Sequence, residues 1–479
     1  MTPEQIRQQA MEQAPHTEES LLYQDFKKEV SSPKTVKVGL YQIAKYLIAK
    51  FHIKTLGDNH TREIYFYNGG YYDRRGASVI KNEIEKILEE LTTAHYKNEI
   101  VEKVKDMTYC QRADFVIDKD LLNFKNCILN VRTREAIKHS PDYLFLSQIP
   151  VVYDPTVQME HIPGFLAELL GEKDIEIFYE WLAFALYRQY FIKKALILFG
   201  ERNTGKTTLL NLITRFTGTD NICGVSLQKI ASDKFAIAHL YEKHLNIYDD
   251  LSFDDINDNG AFKMATGGGY ITGEYKFGEQ FIFESFAKLV FSCNKIPSSK
   301  DIDDDAYFSR WILIKFERQL DREKMDSQIL NKIITEKEMS GLLNKALSKL
   351  NTLLSEQEFS YQKEVHEIKS EMLQSSSSLA GFVFNVLERG TSEDWVEKEA
   401  MYQYYADYAQ DGELGVETKD KFGKNLTKYA GYIVDSKKYN NLTEKSERGW
   451  RNVRVRTATT PTTTEMTPFV QEDGEVLPF

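Results

Sequence analysis

Residues 195–214 constrain this chain most tightly. The apolar run Ala195-Leu-Ile-Leu-Phe199 enters Gly200-Glu-Arg-Asn-Thr-Gly205-Lys206-Thr207, and Thr208-Leu-Leu-Asn-Leu-Ile-Thr214 follows with helical spacing. Five consecutive apolar residues suit a strand buried on both faces, which means a parallel sheet between layers of helices. Strand, glycine turn and helix in that order match G-x-x-x-x-G-K-[ST] in the context that gives the pattern meaning. The glycines let backbone N–H groups face a phosphate, and the helix N-terminus adds its dipole. Gly200, Asn203, Thr204, Gly205, Lys206, Thr207 and Thr208 are therefore the candidate contacts to ATP. Lys206 is expected to reach the terminal phosphates and Thr207 to ligate Mg²⁺.

Such a loop needs a second carboxylate for the metal and the attacking water, at the end of another apolar strand. Leu245-Asn-Ile-Tyr-Asp249-Asp250 supplies it. Asp249 is assigned mainly to Mg²⁺ and Asp250 to polarising water, and the two roles are open to exchange. A third strand, Lys288 to Cys293, ends in Asn294, placed to touch the terminal phosphate and orient the water. Apolar strands alternating with helices from Ala195 to about Phe316 read as an α/β fold.

At 479 residues the chain has room for about three domains. Sixty-one Lys and Arg against 72 Asp and Glu leave a net charge of −11, so any nucleic-acid contact has to be local. Cys110, Cys127, Cys223 and Cys293 lie far apart, which supports neither a zinc ribbon nor a disulfide framework. The first residues lack a signal peptide's apolar core, and the most apolar stretch, 181–199, is broken by Arg188, Lys193 and Lys194. A cytosolic protein with no membrane partner is expected. The divisions expected are a polar arm (1–34), a mostly helical module (35–160), the α/β core (161–355), a linker (356–378) centred on the serines of 374–378, a C-terminal module (379–456) and an acidic disordered tail (457–479).

The ordered set of glycine loop, Asp-Asp and Asn resembles a superfamily 3 helicase, an AAA+ ring ATPase. It is most similar to the helicase part of phage, plasmid and poxvirus-type primase-helicases. Asn126-Cys-Ile-Leu-Asn-Val131, His139-Ser-Pro-Asp142 and Tyr153-Asp-Pro155 resemble the helicase-associated domain that precedes that ATPase. Phe262-Lys-Met-Ala-Thr-Gly-Gly-Gly269, Asn294-Lys-Ile-Pro297, Asp303-Asp-Asp-Ala-Tyr-Phe-Ser-Arg310 and Glu338-Met-Ser-Gly-Leu-Leu343 resemble its later segments. Gly269 stands where the family usually has aspartate, so no role is carried to it. The resemblance implies an AAA+ P-loop core, a homo-hexameric or similar ring with ATP at its interfaces, and single-stranded DNA in the channel. No catalytic primase fits before Val36, so a separate primase is implied.

In that family a hairpin projects a basic residue into the channel. Tyr270 to Phe283 alternates around Lys276-Phe277-Gly278 and reads as such a hairpin, with Lys276 on a DNA phosphate and Phe277 or Tyr275 against a base or sugar. Arg310 then suits the arginine-finger role toward a neighbouring subunit, with an ion pair to Asp303–Asp305 as the alternative and Arg318 as a second candidate. The segment Gly415–Arg456 carries eleven Lys and Arg against five Asp and Glu, a net +6. A helix over 418–429 followed by two strands resembles a winged-helix module. Lys421, Lys424, Lys428, Arg448 and Arg451 are its expected DNA contacts, against a ligand-free basic face. Together these features imply an ATP-driven helicase acting on single-stranded and forked DNA. The alternatives are an origin-binding initiator that only melts DNA, and a P-loop switch or small-molecule kinase indifferent to DNA.

Overall fold

The computed structural model describes residues 18–29, 33–57, 62–111, 115, 117–252, 256, 259–276, 280–297, 304–319, 328–412, 414–440 and 445–456. Phe277, Asp303, residues 1–17 and the tail from 457 lie outside the described residues. The chain divides between Met372 and Leu373 into two units.

The first unit begins with α1 (Glu18–Glu29), α2 (Pro33–Phe51), β1 (Lys54–Gly57), β2 (Arg62–Tyr67), β3 (Tyr72–Asp73), α3 (Gly76–Leu88), α4 (Ala94–Met107) and β4 (Tyr109–Cys110). Part of the expected arm is a packed helix. Phe26 of α1 is 1 % exposed and joins Leu40, Ile43 and Leu47 of α2 in one core. Leu22 and Phe26 are too few apolar residues in a polar segment to show as periodicity, so only packing reveals the helix as part of the core. Asn68-Gly69-Gly70 turns β2 into β3: Tyr67 pairs with Tyr72, and the Asn68 side-chain oxygen accepts from the N–H groups of Gly70 and Tyr71.

Next come β5 (Leu121–Asn123), β6 (Ile128–Asn130), β7 (Ala136–Ile137), α5 (Ile162–Leu169) and α6 (Glu172–Leu186). The core sheet and its helices follow: β8 (Ala195–Gly200), α7 (Lys206–Thr217), β9 (Ile222–Cys223), α8 (Leu227–Ser232), α9 (Lys234–Ala238), β10 (Leu245–Tyr248), α10 (Gly260–Ala265), β11 (Tyr270–Glu274), β12 (Gln280–Glu284), β13 (Lys288–Cys293), α11 (Asp305–Phe308) and β14 (Trp311–Phe316). The order β14-β8-β13-β10-β9 is parallel at every pairing. Alternate residues of β8 feed two cores, Leu196 and Leu198 on one face and Ala195, Ile197 and Phe199 on the other. That explains a continuous apolar run in place of alternation.

The unit closes with α12 (Ile329–Ile333), α13 (Glu336–Glu356) and α14 (Val365–Ser376), the last running across the division. α12 and α13 are separated at Thr335, whose side chain accepts from the Glu338 N–H and caps α13. Glu338, 1 % exposed, turns its carboxylate onto the N–H groups of Glu160 (2.7 Å), His161 (3.0 Å) and Ile162 (3.1 Å), where α5 begins. A negative charge there complements the helix dipole.

The second unit contains α15 (Ser378–Val386), β15 (Leu387–Arg389), β16 (Trp395–Glu397), α16 (Lys398–Asp411), α17 (Lys419–Tyr429), β17 (Val434–Asn440), β18 (Lys445–Arg451) and β19 (Val453–Val455). The serine run expected as a linker is helical: α14 continues to Ser376, and Ser377 caps α15 by accepting from the Ala380 N–H. Serine's habit of capping helices wins over its habit in flexible linkers. Phe382, Tyr405, Phe422, Leu426 and Trp450 centre this unit's own core. Among the described residues no helix is long and apolar enough to cross a membrane.

Candidate active site

The carboxyl ends of β8, β13 and β10 lie side by side, the usual place for a ligand on an open parallel sheet. Cys293 pairs with Phe199, and Tyr248 with Phe291, so Gly200, Asn294 and Asp249-Asp250 leave the sheet together. The three sequence signals thus meet although 94 positions separate Gly200 from Asn294.

The loop from Gly200 is shaped by residues that tolerate its backbone. Gly200 has φ +145°, and a Cβ there would lie 2.4 Å from the Phe316 carbonyl oxygen. Gly205 has φ +92°, and its Cβ would meet Leu169 Cδ2 at 2.6 Å. Asn203 also holds positive φ, 60°, as asparagine more readily does than most residues. Only glycine fits the two crowded positions. The cradle so formed opens onto the N-terminus of α7.

Lys206 is 8 % exposed. Its ammonium donates to the carbonyls of Gly200 (2.7 Å) and Glu201 (2.6 Å) and lies 3.3 Å from Thr204 Oγ1. Burial lowers its pKa. Thr207, exposed at the mouth, donates its hydroxyl to Asp249 Oδ2 at 2.9 Å, while Asp249 Oδ1 accepts from the Asp250 N–H at 2.9 Å. Asp250 sits at φ 56°, a left-handed conformation that turns the chain directly after the strand. Thr208 is half-buried on the first turn of α7, and Asn294 is exposed. An ammonium, a run of backbone N–H groups, and a hydroxyl beside a carboxylate form a donor set that suits a nucleoside triphosphate with a hard divalent cation.

Arg310 enters from the loop between α11 and β14. Its Nε donates to Thr266 Oγ1 (3.0 Å) and its Nη1 to the Ala306 carbonyl (2.6 Å). Burial lowers its pKa. The expected alternative, an ion pair with the aspartates before it, does not form among the described residues: Asp304 pairs with Lys263 (2.7 Å) and Asp305 with Lys369 (3.5 Å). Thr266 escaped sequence reasoning, because its contact spans 44 positions and carries no local signal. Arg318 is described beyond the end of β14.

The hairpin of β11 and β12 pairs from Tyr270↔Glu284 to Glu274↔Gln280, with Lys276 exposed beyond the last rung. Tyr275, 40 % exposed, stacks on Phe281 at 5.3 Å and its hydroxyl donates to the Ala238 carbonyl. In the second unit, Lys421, Lys424 and Lys428 are exposed along one face of α17, with Phe422 and Leu426 buried on the other. Arg448 and Arg451 are exposed on β18.

One further cluster brings metal-ligand types together: Glu160, His161 and Glu338 lie within 4.8 Å. Its buried carboxylate is already committed to three backbone N–H groups, so it is explained as a helix cap.

Comparison with known proteins adds the following. Residues 23–171 match the family described as D5 N terminal like, over the module expected at 35–160 and beyond it on both sides. Residues 198–310, from the glycine loop to Arg310, match a family of unknown function, DUF5906. A protein of Acanthamoeba polyphaga mimivirus named “Putative helicase L207/L206” is 22 % identical over 251 residues, which is 49 % of this chain and 26 % of that relative's length. This chain therefore spans about a quarter of it. Two solved structures of the NrS-1 C-terminal region align at 13 % and 14 % identity, over 85 % and 86 % of this chain and 97 % and 99 % of theirs, with TM-scores of 0.42 and 0.43.

Proposed function

We propose that this chain is an ATP-driven DNA helicase of the superfamily 3, AAA+ type. In this reading it works as a ring of identical subunits in the replication of a virus, phage satellite or plasmid. The observation that carries the reading is the Thr207–Asp249 hydrogen bond at the carboxyl ends of three adjacent parallel strands, with Lys206, Asp250 and Asn294 beside it. The helicase name of the mimivirus relative and the D5 N terminal like match support the same direction.

In this reading Lys206 exchanges the carbonyls of Gly200 and Glu201 for phosphate oxygens, with the N–H groups of Asn203 to Thr208 beside it. Thr207 and Asp249 would hold Mg²⁺, which would supply positive charge against that developing on the transferred phosphoryl group. Asp250 polarises the attacking water and Asn294 orients it. Arg310, aimed by Thr266 and Ala306, reaches the ATP of the neighbouring subunit, so hydrolysis depends on assembly. Lys276 grips a phosphate of the strand in the channel, and its hairpin moves that strand as phosphate leaves. The second unit acts as a winged helix, with α17 in a groove and Arg448 of the β17–β18 hairpin on the backbone.

Strand displacement on forked DNA, measured beside ATP hydrolysis and assembly mass, tests the proposal. Wild type is expected to form a ring, to hydrolyse ATP faster with single-stranded DNA, and to unwind. Lys276→Ala is expected to lose unwinding while keeping hydrolysis. A monomer whose hydrolysis ignores DNA would overturn the reading.

A further inference from the structure

The three-stranded sheet of the second unit carries an aromatic surface that the helix-and-hairpin reading leaves unused. Strand order is β16-β18-β17. Trp395 pairs with Arg451 and Glu397 with Gly449, so Trp395, Glu397, Gly449 and Arg451 share one face of the sheet. Trp450 points to the opposite face, where it is 4 % exposed in the unit's core. The Trp395 face is therefore the outer one.

Gly449 makes that face unusual. A Cβ at this position would lie 2.2 Å from Trp395 Cε2 and 2.4 Å from Cζ2, so the indole occupies the space a side chain at 449 would need. Any other residue would push the ring off the sheet. The ring is half-buried, with Lys438 Nζ 5.8 Å from its centroid and the exposed Arg451 on its own rung. Two carboxylates share the face, Glu397 and Glu447, the latter directly opposite Lys438.

That balance of charge selects the ligand. On the three same-face rungs nearest the ring, two cations stand beside two carboxylates and give little net attraction, so charge alone does not hold a duplex there. The apolar ring supplies the remainder, and unpaired bases offer it a free π-face. We infer that Trp395 is a stacking platform for a base of single-stranded DNA, with Arg451 and Lys438 taking the flanking phosphates. The inference rests on the DNA-binding part of the reading above and adds a site to it.

The four tryptophans make the test direct. Trp181 and Trp311 are 0 % exposed and Trp450 is 4 % exposed, so quenching of tryptophan emission by added oligo-dT reports on Trp395. With the full chain, oligo-dT is expected to quench the emission, and a blunt duplex of equal length is expected to leave it unchanged. Trp395→Phe should abolish the quenching while holding affinity within about threefold, since phenylalanine also stacks. Trp395→Ala should weaken single-strand binding about 5- to 100-fold. Anisotropy of a labelled strand reports binding anywhere on the chain and separates two failures. Binding without quenching overturns the Trp395 site alone, as does equal quenching by duplex or an unchanged affinity in Trp395→Ala. Absence of any strand binding overturns the DNA reading with it.

Discussion

The two ends of the five-stranded sheet each hold a buried lysine, in opposite surroundings. At the carboxyl ends Lys206 lies among loop carbonyls, with Asp249 and the exposed Thr207 at the mouth. At the amino ends Lys288 is 0 % exposed, donates to the Tyr187 carbonyl and has its ammonium 4.8 Å from the Phe184 ring. Burial drives the Lys288 pKa well below its ordinary value. Next to it, His244 donates Nδ1–H to the Ala185 carbonyl (3.0 Å), and Arg188 pairs with Glu242 (2.7 Å) while its guanidinium lies 4.6 Å from the Phe286 ring. A cation at a solvent-facing loop can trade carbonyl partners for an incoming anion. One sealed among aromatic rings keeps its carbonyl partner but gives an incoming anion no way in, so its role is structural.

The largest expected effect falls at the carboxyl end. Lys206→Ala should lower ATP hydrolysis at least about 100-fold while leaving the melting temperature close to wild type. Near wild-type hydrolysis by this variant would end the active-site assignment. At the amino end the effects reverse. Lys288→Ala empties a sealed space and should cost about 2–4 kcal/mol in urea denaturation, with hydrolysis per folded molecule unchanged. If hydrolysis fell with stability intact, the two ends would no longer be functionally distinct.

A smaller effect comes from His244, whose pKa burial and the nearby Arg188 lower from 6.5 to about 3; Lys243 and Lys288 act in the same direction. The folded state keeps the ring neutral, whereas the unfolded chain binds a proton below pH 6.5. This contribution to stability is therefore complete above pH 6.5 and falls by about 1.4 kcal/mol per pH unit down to about pH 3. Urea midpoints at pH 7 and pH 5 should show the loss, and His244→Asn should flatten it. An equal slope in the variant would place the acid sensitivity elsewhere.

Much of the candidate site was legible in the chain because its signals are local. A strand, a glycine turn and a helix occupy 20 consecutive residues, and each acidic or amide partner ends its own apolar run. The hairpin at Lys276 and the lysine face of α17 follow from alternation and helical spacing in the same way. What escaped is long-range. Thr266 meets Arg310 across 44 positions, Arg188 meets Glu242 across 54, and Lys288 meets the Tyr187 carbonyl across 101. Nothing in the immediate sequence of Lys288 distinguishes it from an exposed strand lysine.

The sequence by itself determined the strands and helices of the α/β core and which strand ends carry the candidate polar residues, since backbone preference and hydrophobic period act between near neighbours. Tertiary structure decided the rest. Inserting β13 between β8 and β10 brought Asn294 level with the glycine loop, and helix capping turned an expected serine linker into two helices. Pairing of β16 with β18 set Trp395 over Gly449, 54 positions away. Such outcomes depend on which surfaces meet, and burial sets the partners and the charge state of a side chain only once they have met.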